Sequence, residues 1–127
     1  MSSPRVLLIE DEPGLAEILA LNLRLAGYQV ETAMDGLTAW QRFEADPPDV
    51  VVLDLGLPAL SGFRLLELMR DSTPSLSVIV ITALDFEEAE EVASYGVDGF
   101  MTKPFAPKAL VRQVEYALAR RRQARQD

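Results

Sequence analysis

Arg5-Val6-Leu7-Leu8-Ile9 runs directly into Glu10-Asp11-Glu12, and Val50-Val51-Val52-Leu53 runs directly into Asp54. Two further apolar runs follow: residues 77–81 lead into Thr82, and a weaker stretch, Gly99-Phe100-Met101-Thr102, leads into Lys103-Pro104. Brought to one place, the carboxylates of Glu10, Asp11 and Asp54, the hydroxyl of Thr82 and the ammonium of Lys103 could hold a divalent cation and support phosphoryl transfer.

Asp54 is the sharpest of these. An acid directly after four apolar residues is poorly placed for simple solvation, and a carboxylate there can attack phosphorus to form an acyl phosphate. Thr82 and Lys103 offer a hydroxyl donor and a positive charge to phosphoryl oxygens, which is most of what phosphoryl transfer asks of a protein. Two like charges 4 Å apart repel by about 4 kcal/mol at an effective dielectric of 20, so an empty cluster of Glu10, Asp11 and Asp54 is costly. A cation removes that cost, and all-oxygen ligands with room for water and phosphate suit Mg²⁺. Each residue also has a plainer explanation. Glu10 to Glu12 could cap a helix, Thr82 could be a β-branched strand end, and Lys103 a solvated lysine. The ordered set at successive run ends favours a site.

Continuous short apolar runs read as strands buried on both faces of a parallel sheet. Ligands of such sheets bind beyond the carboxyl ends of the strands, where strand order reverses. Helical patterns separate the runs. Pro13 suits a first helical turn, with Leu15, Ile18, Leu19, Asn22 and Leu25/Ala26 on one face and Gly27 as its C-terminal cap. A second strand covers Gln29 to Ala33. Asp35-Gly36 marks a turn, and Leu37, Trp40 and Phe43/Glu44 outline a helix stopped by Asp46-Pro47-Pro48. Ser61 suits the N-cap of a third helix with Leu65, Leu66 and Met69 inward. A fourth, acidic helix spans about 86–95, with a thin apolar face of Ala89, Val92 and Ala93. The last helix starts near Ala106–Pro107 and carries Leu110, Val111, Val114 and Leu118, with terminal arginines at the negative end of its dipole.

These alternating elements predict an α/β domain, a single doubly wound parallel sheet of five strands with five helices. The chain of 127 residues reads as one domain over 1–127, its core about 4–122. Residues 123–127 are expected to be a C-terminal tail or the start of a linker to an output domain. There is no cysteine, hence neither disulfide nor thiolate metal site, and no histidine to serve as base, ligand or phosphocarrier. A net charge of −8 argues against direct nucleic-acid binding by this domain. No apolar stretch approaches the roughly 20 residues needed to cross a bilayer, and Met1-Ser2-Ser3-Pro4 lacks the features of a signal peptide. A cytoplasmic location is the expectation.

Taken together, V-L-L-I-E-D-E-P (6–13), V-V-L-D-L-G-L-P (51–58), S-G-F-R-L-L (61–66), V-I-V-I-T-A (78–83) and G-F-M-T-K-P-F (99–105) resemble the receiver domain of bacterial two-component response regulators over essentially the whole chain. The resemblance implies a flavodoxin-like sheet of order 2-1-3-4-5. It implies a signalling switch, and no enzyme beyond its own phosphorylation and dephosphorylation. Asp54 would accept a phosphoryl group from a phosphohistidine on a sensor histidine kinase or histidine phosphotransfer protein. Mg²⁺ would be held by Asp11, Asp54 and the backbone carbonyl of Gly56, with Glu10 acting partly through water. Thr82 and Lys103 would bind phosphoryl oxygens, and Lys103-Pro104 would be cis. No other cofactor is implied. In the family Thr82 moves toward the phosphate and the aromatic three residues before the lysine, here Phe100, turns inward. Phe100 lacks the hydroxyl that many relatives carry as tyrosine, so it is expected to switch by packing alone. Gly56 and Leu84, each two residues past a site residue, are expected to set the lifetime of the acyl phosphate.

The output surface implied by the resemblance is the fourth helix, fifth strand and fifth helix, acting on a partner or an output domain, with transcription among the outputs open to it. Here that surface combines the acidic run 85–91 with a chain end bearing Arg120, Arg121, Arg122 and Arg125. Such patches could pair in a phosphorylation-dependent homodimer; two unrelated solvated faces account for the same charges. Winged-helix transcription-factor relatives often carry Asp-Asp where this chain has Asp98-Gly99. The chain is expected to be a stand-alone receiver or the receiver part of a longer regulator. Three other functions compete with the switch. A haloacid-dehalogenase-like phosphatase needs an acid two residues after its nucleophile, where this chain has Gly56. A nucleotide or flavin binder could use a similar fold, but the glycine-rich phosphate loop of the nucleotide case is absent. A phosphate-independent receiver scaffold would not need the full set of site residues.

Overall fold

The computed structural model describes residues 3–57, 60–83 and 86–126, with side chains described outside 86–89 and 124–126. Strands and helices alternate throughout: β1 (Arg5–Ile9), α1 (Pro13–Leu25), β2 (Gln29–Ala33), α2 (Gly36–Ala45), β3 (Val50–Asp54), α3 (Gly62–Ser72), β4 (Ser77–Thr82), α4 (Phe86–Ala93), β5 (Gly99–Thr102) and α5 (Pro107–Gln126). The strands form one sheet of order β2-β1-β3-β4-β5, every pair parallel. This is the doubly wound five-stranded arrangement expected from the sequence. The chain passes from β1 outward to β2, then returns to the other side of β1 for β3. Strand order therefore reverses between β1 and β3.

Period-two alternation divides the interior into two cores. Leu7, Ile9, Val51, Leu53, Val78 and Val80 face α2 and α3, where Phe43, Leu65, Leu66 and Met69 are fully buried. Val6, Leu8, Val50, Val52, Ile79 and Ile81 face α1 and α5, packing on Leu19, Leu23, Leu110 and Val114. The central strands β1, β3 and β4 are apolar on both sides because helices cover both sides.

Several local signals behave as their chemistry requires. Ser61 caps α3, its hydroxyl accepting from the Arg64 N–H at 3.2 Å. Gly27 follows α1 with φ of 101°, a conformation that side-chain-bearing residues rarely adopt, and its N–H donates to the Arg24 carbonyl. Among the described residues no helix is long and apolar enough to cross a membrane.

Other expectations are corrected. The buried face of α1 is Ala16, Leu19, Ala20 and Leu23, rotated from the expected one; Ile18 and Leu25 are 51% and 78% exposed. Asp35 and Gly36 are the N-cap and first residue of α2 rather than a free turn, the Asp35 carboxylate accepting from the Thr38 N–H at 2.8 Å. Leu37 is exposed. Helix α4 ends at Ala93 instead of near residue 95. On its thin apolar face Val92 is buried but Ala93 is exposed, while Ala89 lies outside the described side chains. Asp54 and Thr82 are themselves the last residues of β3 and β4.

Candidate functional site

The strand-order reversal places the ends of β1 and β3 side by side. Register pairs Ile9 with Leu53, so Glu10 and Asp11 leave the sheet next to Asp54. Glu10 and Asp11 diverge as adjacent residues at a strand end must: Glu10 is fully buried, while Asp11 is exposed. One carboxylate oxygen from each of Glu10, Asp11 and Asp54 lies within 4.8 Å of the others. The next strand pairs Asp54 with Ile81, setting the buried Thr82 one residue beyond at the neighbouring strand end. Beyond β5, the Lys103 N–H donates to the Thr82 carbonyl at 2.8 Å, and the Lys103–Pro104 peptide is cis.

Lys103 reaches back over the sheet edge. Its Nζ donates to Asp54 Oδ2 at 2.9 Å and sits 2.8 Å from Glu10 Oε1. The second contact is an ion pair without hydrogen-bond geometry, so Glu10 Oε1 is buried with no hydrogen-bond partner. Glu10 Oε2 accepts from the Glu12 N–H at 3.0 Å. Asp54 Oδ1 accepts from the Gly56 N–H at 2.9 Å. Glu12 occupies the N-cap position of α1 but its side chain makes no capping bond, so the acidic run is not a capping device of that kind.

Burial dominates the electrostatics of Glu10. Loss of solvation pushes its carboxyl up to about 7 against the pull of the Lys103 ammonium and the Glu12 N–H, with Asp54 raising it further. For Lys103 burial alone would lower the ammonium, but Glu10 and Asp54 together hold it above its ordinary value. Three close carboxylates thus lie beside one ammonium that pairs with only two of them, and the buried Glu10 Oε1 has no hydrogen-bond partner. That donor set fits a hard divalent cation.

Of the residues singled out in the sequence, Glu10, Asp11, Asp54 and Lys103 converge directly. Gly56 joins through its N–H, and Thr82 stands at the adjoining strand end. Phe100 is elsewhere: it is half-buried on β5, packed with Tyr95 and Val97 against the core beneath α2 and α3. Leu84 lies outside the described residues. Sequence reasoning assigned Lys103 to phosphoryl oxygens and missed its contacts with Glu10 and Asp54. It also missed two glycines, Gly36 and Gly62, on which the segment after Asp54 rests.

Beside the cluster a cavity of about 240 Å³ is lined by Glu12, Leu15, Lys103, Pro104 and Phe105. A second cavity, of about 110 Å³, lies at the opposite end of the sheet. There Arg5 and Arg42 are already paired with Glu31 and Asp46. Farther off, Arg70 ties the end of α3 to the segment entering β5, donating to the carbonyls of Leu76 at 2.5 Å and Gly96 at 3.0 Å.

Comparison with known proteins gives a consistent result. The family model described as the response regulator receiver domain matches residues 6–115. The probable transcriptional regulatory protein TcrX of Mycobacterium tuberculosis is 41% identical over 117 residues, covering 91% of this chain and 50% of that protein. The alkaline phosphatase synthesis transcriptional regulatory protein PhoP of Bacillus subtilis is 36% identical over 118 residues, covering 91% of this chain and 49% of that protein. The chain thus spans about half the length of these curated relatives. The receiver domain of the Francisella response regulator 1452 superposes with a TM-score of 0.87 at 30% identity, covering 93% of this chain and 98% of that one.

Proposed function

This chain belongs to the response regulator receiver domain family, and from that premise we propose that it is a phosphorylation-dependent switch whose phosphoacceptor is Asp54. The observation that carries the reading is the setting of that carboxylate. It is 4% exposed at the end of β3, bonded to Lys103 and to the Gly56 N–H, with two more carboxylates within 4.8 Å.

In the proposed reaction a carboxylate oxygen of Asp54 attacks the phosphorus of a phosphohistidine on a partner kinase or phosphotransfer protein. The P–O bond forms as the P–N bond breaks, and the donor imidazole leaves. Residues 1–127 contain no histidine that could serve as that donor. Asp11, Asp54 and the Gly56 carbonyl are the residues that would hold Mg²⁺, with Glu10 behind them. Bound there, the cation supplies charge neutralisation for carboxylate and phosphoryl oxygens that would otherwise repel. Lys103 is released from part of its bonding to Asp54 as the phosphoryl group takes over, and it then neutralises a phosphoryl oxygen. Thr82 donates its hydroxyl to another. The cavity between Glu12 and Phe105 leaves a path for the donor to approach.

Downstream, the drawing-in of Thr82 and the inward turn of Phe100 would alter the surface of α4, β5 and α5, and through it a partner or an output domain. Control of transcription is the output proposed, since TcrX and PhoP are transcriptional regulatory proteins by name. The cytoplasm is the proposed location. The test is transfer of label from a phosphorylated histidine kinase domain to this chain in Mg²⁺. Label should leave the kinase and appear on the wild type, and EDTA should prevent it. Transfer to Asp54→Asn equal to wild type would contradict the assignment.

A further inference from the structure

The segment that follows Asp54 is held at both ends by glycines that no catalytic role requires. Gly62 is the first residue of α3, and its α-carbon faces the backbone of Leu55. A Cβ there would lie 2.4 Å from Leu55 Cα and 2.8 Å from its carbonyl oxygen. Gly36 is the first residue of α2. A Cβ there would lie 2.4 Å from the Leu60 carbonyl oxygen and 2.5 Å from Leu60 Cβ. These neighbours are backbone or Cβ atoms, which cannot rotate away as the end of a long side chain can. Both glycines have ordinary negative φ, so a turn does not explain them. What they permit is close approach of two helix starts to one loop.

The loop is the one that shapes the site. Leu55 is the residue after Asp54, and Gly56, the next, donates its N–H to Asp54 Oδ1 at 2.9 Å. By contrast Gly14, also in the first turn of a helix bordering the site, has nothing within 4 Å of where its Cβ would stand.

We propose that Gly36 and Gly62 are positioning residues: their missing side chains let α3 close on Leu55 and α2 close on Leu60, and so fix Asp54 against the Gly56 N–H. This rests on the reading of Asp54 as phosphoacceptor. An alanine at Gly62 forces Leu55 to retreat by about 1 Å before its contacts become ordinary, a misplacement that can cost on the order of a hundredfold in rate.

The experiment compares Gly62→Ala, Gly36→Ala, Gly14→Ala and the distant core variant Val114→Ala with wild type. Two readouts are taken well below each melting temperature: the rate of labelling by acetyl phosphate with Mg²⁺, and the amide chemical shift of Gly56. Tenfold to hundredfold slower labelling and a moved Gly56 resonance are expected for both clamp variants. Gly14→Ala and Val114→Ala should keep the wild-type rate and resonance, although Val114→Ala lowers the melting temperature. If Gly62→Ala does not fold, Gly36→Ala carries the comparison. Clamp variants that label at the wild-type rate, or slow no more than Val114→Ala does, overturn the proposal. A wild type labelled neither by acetyl phosphate nor by a phosphorylated histidine kinase domain instead refutes the phosphoacceptor reading, and an unmoved Gly56 resonance in the folded clamp variants then overturns the clamp by itself.

Discussion

Glu10 should make the stability of the cation-free domain fall as pH rises, against the usual direction for a carboxyl. Its side chain is wholly buried, and its carboxyl is pushed from 4.5 up to about 7, first by desolvation. Between those two values the folded chain binds a proton that the unfolded chain has released. By linkage the group favours the folded state at low pH, and that contribution is lost progressively as pH rises through 7. At 1.36 kcal/mol per pH unit, the window from 4.5 to about 7 is worth up to about 3 kcal/mol. The perturbation is Glu10→Gln, which keeps the shape and removes the titration. Urea unfolding in EDTA at pH 5, 6, 7 and 8 should show wild type losing up to about 3 kcal/mol relative to the variant, with equal slopes. Mg²⁺ at about one hundred times its dissociation constant should return about 2.7 kcal/mol to wild type at pH 8. Parallel pH profiles for wild type and Glu10→Gln would refute the reasoning, since they would mean that burial of Glu10 is not what sets its charge.

Asp35 should behave oppositely. Hydrogen bonds from the Thr38 N–H and hydroxyl hold its carboxyl below the ordinary value. Its contribution is present above the unfolded value near 3.8 and is lost as pH falls through the lower folded one, so wild type should lose stability relative to Asp35→Asn in acid melts. Phe43→Ala removes a fully buried ring stacked on Trp40 and should cost about 3–5 kcal/mol in urea unfolding. The Phe100 ring should change rotamer between the free domain and one carrying a phosphoryl mimic with Mg²⁺; ring NMR signals that are identical in the two states would remove the packing switch.

Much of this was legible in the sequence, for identifiable reasons. Strands buried on both faces leave uninterrupted apolar runs, so the sequence itself places Glu10, Asp54, Thr82 and Lys103 at strand ends. Phase was harder. Helix α1, P-G-L-A-E-I-L-A-L-N-L-R-L, is apolar at most positions. A 3.6-residue period therefore fits more than one face, and the chosen face was rotated from the buried one. The ion pair between Glu10 and Lys103 joins residues far apart in sequence and left no local trace. Gly36 and Gly62 read as a turn residue and a helix start because a glycine shows the sequence nothing of what presses against it.

The most direct test of Asp54 as phosphoacceptor is intact mass after incubation with acetyl phosphate and Mg²⁺, for wild type and Asp54→Ala. The expected result is a gain of one phosphoryl group in wild type, prevented by EDTA and absent from the variant. An equal gain in Asp54→Ala would contradict the central claim.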